Sequence, residues 1–154
     1  MSGQTTYDIN TANAVAGQIA DIGFNEIDSF LAEGVAGIGF GLVVSRGTND
    51  GQAVLGGDAT GIGVTVRDLA REGEVNTGAV SYSEADAMAV MRFGSGSKIY
   101  VALASGGNAG DALFYDDVTG VIDVGAAGVG ETDIAGATLE ADCAAGAIAV
   151  IRLG

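Results

Sequence analysis

The sequence predicts an all-β protein: a small jelly-roll, β-barrel or sandwich domain over residues 23–154, preceded by an N-terminal arm or first element over residues 1–22. Three observations predict it. There are 27 glycines in 154 residues, more than twice the roughly 7% of average usage, and a glycine inside a helix costs about 1 kcal/mol relative to alanine. There is no proline, so every turn falls to Gly, Asn, Asp or Ser. The glycines stand mostly singly between short runs of Val, Ile and Tyr, as at turns, bulges and sheet corners. The length suits one domain with one sizeable core.

In chain order, the first element is open to two readings. Ala12, Val15, Ile19 and Ile22 fit helical spacing, so Thr11 to Ile22 suits an amphipathic helix or, equally, an extended arm. Asn25 to Glu33 reads as acidic and irregular, with at most a short turn of helix. Leu42 to Arg46 follows the glycine ladder Gly37, Gly39, Gly41 and reads as a strand, and Asn49-Asp50-Gly51 is a strong turn signal before a strand at Gln52 to Leu55. Gly61 to Leu69 sets Ile62, Val64 and Val66 against Gly63, Thr65 and Arg67, as a half-buried strand does. Ala79 to Tyr82 suits a short strand. Ser83 and Asp86 resemble a helix start, but Met88, Val90 and Arg92 run straight into a Gly-Ser turn, so Met88 to Phe93 is read as strand. With Lys98 to Ala104 it flanks Gly94-Ser-Gly-Ser97 as a hairpin. Ala112 to Tyr115 and Val121 to Val124 flank a second, and Thr138 to Ala141 with Ile148 to Leu153 a third. Nine or ten short strands in all suit a sandwich or closed barrel.

Composition excludes much chemistry. The absence of histidine removes the usual general base and the commonest metal ligand. Lone Cys143 makes neither an intramolecular disulfide nor a cysteine zinc site, and reads as a small buried apolar residue. Twenty acidic residues against six basic ones leave a net charge of -14. That charge repels nucleic acid phosphates and anionic lipid, so neither nucleic acid nor membrane is expected as a partner. Gly34 to Ser45 is too short and glycine-rich for the roughly 20 apolar residues of a membrane helix. Met1 to Asn10 lacks the basic-then-apolar order of a secretory signal.

No catalytic constellation, metal set or cofactor is read from what remains. Gly37-Ile-Gly-Phe-Gly41 lacks the spacing and the following helix of a dinucleotide loop. Glu72 and Glu74 lie roughly 7 Å apart if extended, yet Arg71 to Glu74 reads as a polar turn, with no tryptophan in the chain to bind a sugar. Calcium is the metal most open to consideration, at Asp116, Asp117 and Asp123 or at Asn49, Asp50 and Asp58. Turn chemistry accounts for both groups.

From the second hairpin onward the residues carry a family resemblance. Gly110-Asp-Ala-Leu-Phe-Tyr-Asp-Asp-Val-Thr-Gly-Val-Ile122 resembles the hairpin of the structural cement, or capsid decoration, proteins of tailed bacteriophages. The stretch from Ile134 to Leu153 is similar to that family's closing hairpin. Gly61 to Asp68, Asp86 to Gly94 and Ala14 to Asp21 fall in the family's order upstream. Where members often carry proline before the Gly-Ala step, this chain has Ala135.

The resemblance implies a non-enzymatic β-barrel or jelly-roll protein of the virion, made in the host cytoplasm and bound to the outer capsid surface. Its partners would be the major capsid protein, at junctions between subunits, and copies of itself as a dimer or trimer. No cofactor is implied. The N-terminal segment, polar through Asn10 and then apolar, is the expected contact with capsid or sister subunit, through Val15, Gln18, Ile19 and Asp21. The rival reading is a phage or bacterial host-interaction or glycan-binding β module; four Tyr and five Phe are a thin supply of sugar platforms.

Overall fold

The computed structural model describes residues 14–34, 36–68 and 81–154, with no helix among them. The strands are β1 (Ile27–Glu33), β2 (Val43–Arg46), β3 (Gln52–Leu55), β4 (Gly61–Thr65), β5 (Ala87–Arg92), β6 (Lys98–Ala102), β7 (Ala112–Asp116), β8 (Ile122–Val124), β9 (Glu131–Leu139) and β10 (Ile148–Arg152). The first five close a barrel in the order β1-β3-β2-β4-β5, and the last five form a sheet in the order β6-β10-β9-β7-β8. The chain is therefore all-β, with the barrel alternative realised in its first half.

Alternation along the barrel strands explains why the two halves pack together. On β5, Met88 and Val90 fill the barrel, whereas Met91 joins the core shared with the second sheet. On β2, adjacent Val43 and Val44 are both fully buried, one in each core. Val43, Val64 and Met91 stand in register across three strands. That row packs with Ile99, Leu113, Tyr115, Ile151 and Leu153 of the second half. A strand with both faces covered reads as a near-continuous apolar run, which is what Val43-Val44 and Met88 to Met91 present. Inside the barrel, Phe40 meets Tyr82 edge to face at 5.2 Å, and the Tyr82 hydroxyl donates to Val66 O at 2.7 Å.

Several expectations need correction. Ile27 to Glu33 is a full strand. Its period-2 pattern buries Phe30 and Ala32, but Ile27 and Leu31 are also apolar, so the alternation is blurred in sequence. β5 and β6 do not form a hairpin: β5 pairs with β1 and β4, β6 pairs with β10, and Gly94 to Ser97 carries the chain from the barrel to the second sheet. β9 begins at Glu131 rather than Thr138 because its pairing with β7 continues past a bulge to Asp133, Thr132 and Glu131, opposite Phe114, Tyr115 and Asp116. β4 ends at Thr65; the expected end at Leu69 lies outside the described residues. So do Ala79 and Val80, while Tyr82 bridges Ile38. The β7–β8 and β9–β10 pairings are antiparallel as expected, and Cys143 is half-buried rather than buried.

Of the expected arm, residues 1–13 lie outside the described residues, and residues 14–22 are not helical but run along the fold as an edge segment with a turn at Ala16 and Gly17, closed by Gln18 N–H to Val15 O at 3.1 Å. Gly17 N–H donates to Tyr100 O, Ala20 N–H to Lys98 O, and Gln18 O accepts from Tyr100 N–H, all within 2.9 Å. This stretch covers the outer edge of β6, blunting a site for unwanted pairing. Gly17 also accepts from Arg67 N–H at 2.7 Å, so it is pinned between the two halves.

Candidate docking surface

Several acidic side chains hold turns and loops. Asp116 Oδ1 accepts from Val118 N–H, Thr119 N–H and the Thr119 hydroxyl at 3.0, 2.6 and 2.8 Å. Those bonds, Thr119's backbone donor foremost, hold its carboxyl below the ordinary range. Asp117 accepts from the Thr132 hydroxyl at 2.6 Å, and Asp123 takes both the N–H and the hydroxyl of Ser105 at 2.9 Å. Glu33 binds the Thr48 hydroxyl and N–H at 2.6 Å, and its carboxyl is lowered in turn by the hydroxyl first and the N–H second. Among the described residues no group of three or more His, Cys, Asp or Glu is placed to hold a metal ion. The Glu72 and Glu74 pair lies outside them. The glycine ladder serves the barrel: Gly41 N–H donates to Thr65 O, and Ile38 pairs with Tyr82.

The described surface also carries exposed apolar side chains. Of the four expected contact residues, Val15 is 37% exposed. Gln18 is exposed and accepts from Val15 N–H through its side chain at 3.3 Å. Ile19 is half-buried and packs against the shared core. Asp21 is exposed and accepts from Gly23 N–H at 2.9 Å. The structure keeps these residues in one short stretch, with Ile19 turned inward by its β-bridge to Ile99.

Sequence reasoning missed the two residues just beyond. Ile22 is 105% exposed and Phe24 88%, side chains that gain roughly 1.5–3 kcal/mol each when fully buried; Val118 and Val129, on other loops, are exposed to a similar degree, but singly. They flank Gly23 in a tight turn from Asp21 to Asn25. The Asn25 amide nitrogen donates to both Asp21 O and Gly23 O at 3.0 Å. Both ends of the turn are anchored: Ala20 N–H to Lys98 O at 2.9 Å, and Arg92 N–H to Glu26 O at 3.0 Å. An open groove of about 470 Å³ lies against it, lined by Ile19, Ala20, Asp21, Ile22 and Asn25. Beyond the turn, β1 adds Ile27 and Leu31, 38% and 44% exposed, opposite Met91 and Ala87 of β5. The available signal was an apolar pair, Ile22 and Phe24, with turn formers on either side and no strand of its own.

Charge rims this apolar strip. Asp21 and Glu26 are exposed beside it. Asp28 grips Arg92 at 2.7 Å, with Glu26 at 3.9 Å from the same guanidinium, and the Asp28 contact holds Arg92 more firmly protonated. Elsewhere Lys98 and Arg152 share Glu140, at 2.5 and 3.4 Å. With a net charge of -14, the field the molecule presents is strongly negative.

Comparison with known proteins places the chain in a family. A family model described as structural cement protein (E217 gp24/Pam3 gp6) matches residues 3–154. No curated protein sequence matches. Among solved structures, a chain from the capsid of Myoviridae phage XM1 is similar over 100% of this chain and 98% of its own, with a TM-score of 0.73 and 17% identity; at that identity the likeness is one of fold.

Proposed function

Because this chain belongs to the structural cement protein family of phages, we propose that it binds the outer surface of a tailed-phage head, at junctions between major capsid subunits, and stabilises the mature shell. Membership in that family makes it a structural protein of the virion that acts by association with the capsid. The outer-surface position, the junctions and a dimeric or trimeric state are the finer reading. The observation that carries it is the turn bearing Ile22 and Phe24: a large apolar pair held out in water, on a molecule whose described residues show no group placed to hold a metal ion. The XM1 capsid chain with the same fold supports the same setting.

Mechanism follows from linkage. A protein that binds the assembled lattice and not its dispersed subunits stabilises the lattice by RT ln(1 + [L]/Kd) at each site. Many copies, each bridging neighbours, raise the total without any one contact being strong. The apolar strip supplies the attraction, and the net charge of -14 keeps unbound copies soluble and apart. Residues Val15, Gln18 and Asp21, next to the strip, extend the proposed contact.

The test is co-sedimentation of the purified protein with undecorated heads, with heat-induced DNA release from the same heads measured in parallel. Saturable binding and a higher release temperature are expected. Binding to unassembled capsid subunits as tight as to heads, or no binding to heads, would overturn the proposal.

A further inference from the structure

We infer that Asn25 is a positioning residue which pre-forms the Asp21–Asn25 turn as a rigid plug, and that the plug fits an apolar recess on the capsid protein edged by Lys or Arg. This rests on the capsid-binding reading above and deepens it. Three features of the geometry lead here. The Asn25 carboxamide donates both its N–H bonds to Asp21 O and Gly23 O, bracketing Ile22, so a single side chain fixes the path of the backbone that carries the exposed pair. Its Oδ1 is enclosed and accepts no hydrogen bond from the described residues, so the side chain is held in place by donation alone. The turn hangs from β5 and β6 at both ends, hence its direction is set by the body of the fold.

A turn ordered in advance loses little entropy when it docks, and the gain appears directly as affinity. The occupant follows from charge. Two copies meeting through this strip would bring Asp21 and Glu26 against the same acids, on molecules each carrying -14, and like charges in opposition suppress a pairing. A recess with basic edges is attracted by those rim acids while it buries Ile22 and Phe24.

Four variants separate the possibilities: Asn25→Ala, Asn25→Asp, Ile22→Ser with Phe24→Ser, and all three positions together (Asn25→Ala with both serines). Each is measured for melting temperature, for hydrogen exchange of amides 22–25, and for affinity to undecorated heads at low and high salt. Asn25→Ala is expected to melt near the parent, to exchange faster in the turn and to bind about tenfold more weakly. Asn25→Asp should be weaker again, since a carboxylate cannot donate and would face two carbonyl oxygens. In the background lacking Ile22 and Phe24, the Asn25→Ala change should cost almost nothing further. Parent binding with Asn25→Ala, while the double serine variant fails to bind, would overturn the positioning role and leave the surface intact. Parent binding by the double serine variant would overturn the surface itself. Salt-independent binding, or loss of self-association in the double serine variant with head binding kept, would overturn the assigned occupant. Failure of the parent to bind heads at all would instead strike the underlying functional reading.

Discussion

The hydroxyl of Tyr115, on β7, donates a 2.8 Å hydrogen bond to the carbonyl of Gly57 in the barrel's β3–β4 loop. It also accepts from Gly61 N–H at 3.2 Å. The ring is 1% exposed and tilts against Phe93 at 6.5 Å, so one side chain fills the shared core and fastens the two halves together. The neighbouring turn adds main-chain clasps, Val43 N–H to Gly120 O and Gly57 N–H to Asp117 O, both 2.8 Å.

Tyr115→Phe should therefore keep the packing and lose the clasp. It leaves Gly57 O and Gly61 N–H without their partner, at a cost of about 1–3 kcal/mol. Urea unfolding should show a lower midpoint with an unchanged slope, and far-UV dichroism an unchanged strand signal. A midpoint equal to the parent's would mean that the hydroxyl does not join the halves.

Gly17→Ala tests the pinned edge segment. Gly17 has a φ of +81°, and a Cβ there would sit 2.7 Å from Phe40 Cβ. The conformation alone costs an alanine about 1–2 kcal/mol, before the clash is counted. The expected result is faster hydrogen exchange at Tyr100 and Arg67, whose N–H groups bond to Gln18 and Gly17, with the β6–β10 ladder still protected. Unchanged exchange at those two amides would contradict the pinning.

Acid should loosen the turns that carboxylates hold. Asp116 and Glu33 both have lowered folded-state pKa values. Their contribution to stability is present above the unfolded value, about 4, and is lost as pH falls through the lower folded value. The melting temperature should hold from pH 7 to about 5 and decline below about 4. Asp116→Asn should melt lower at pH 7 and show a shallower acid decline; a decline as steep as the parent's would remove Asp116 from the account.

Attachment to heads should weaken as salt is added. Screening shortens from about 10 Å at 0.1 M to about 3 Å at 1 M, which uncouples the exposed rim acids from a basic partner and leaves the apolar contact. Affinity is expected to fall several-fold across that range, and Asp21→Asn with Glu26→Gln to flatten the dependence. A salt response identical in the parent and this variant would place the electrostatic contact elsewhere.

Legibility in the sequence differed by element for physical reasons. β3, β7, β8 and β10 were readable because each is a short, mostly apolar run with Gly or Asp within two residues of either end. β1 was hidden because its outward residues Ile27 and Leu31 are apolar too, so its face reads the same whether covered or exposed. The Gly94–Ser97 turn looked like a hairpin because turn chemistry is local, whereas the choice of strand partner is made by residues far along the chain. Val15, Gln18, Ile19 and Asp21 lie in the same short stretch as the exposed pair Ile22 and Phe24. Ile22 and Phe24 escaped notice because apolar residues are ordinarily assigned to a core.

Composition and spacing alone determined that this chain is built of short strands and glycine turns, and that histidine-based chemistry is out of its reach, because those properties depend on which residues are present and how closely they follow one another. Tertiary structure decided that five strands close into a barrel, that the next five cover one side of it, and that Ile22 and Phe24 are left in water. Exposure is settled by what the rest of the chain has already enclosed, and no local pattern records that.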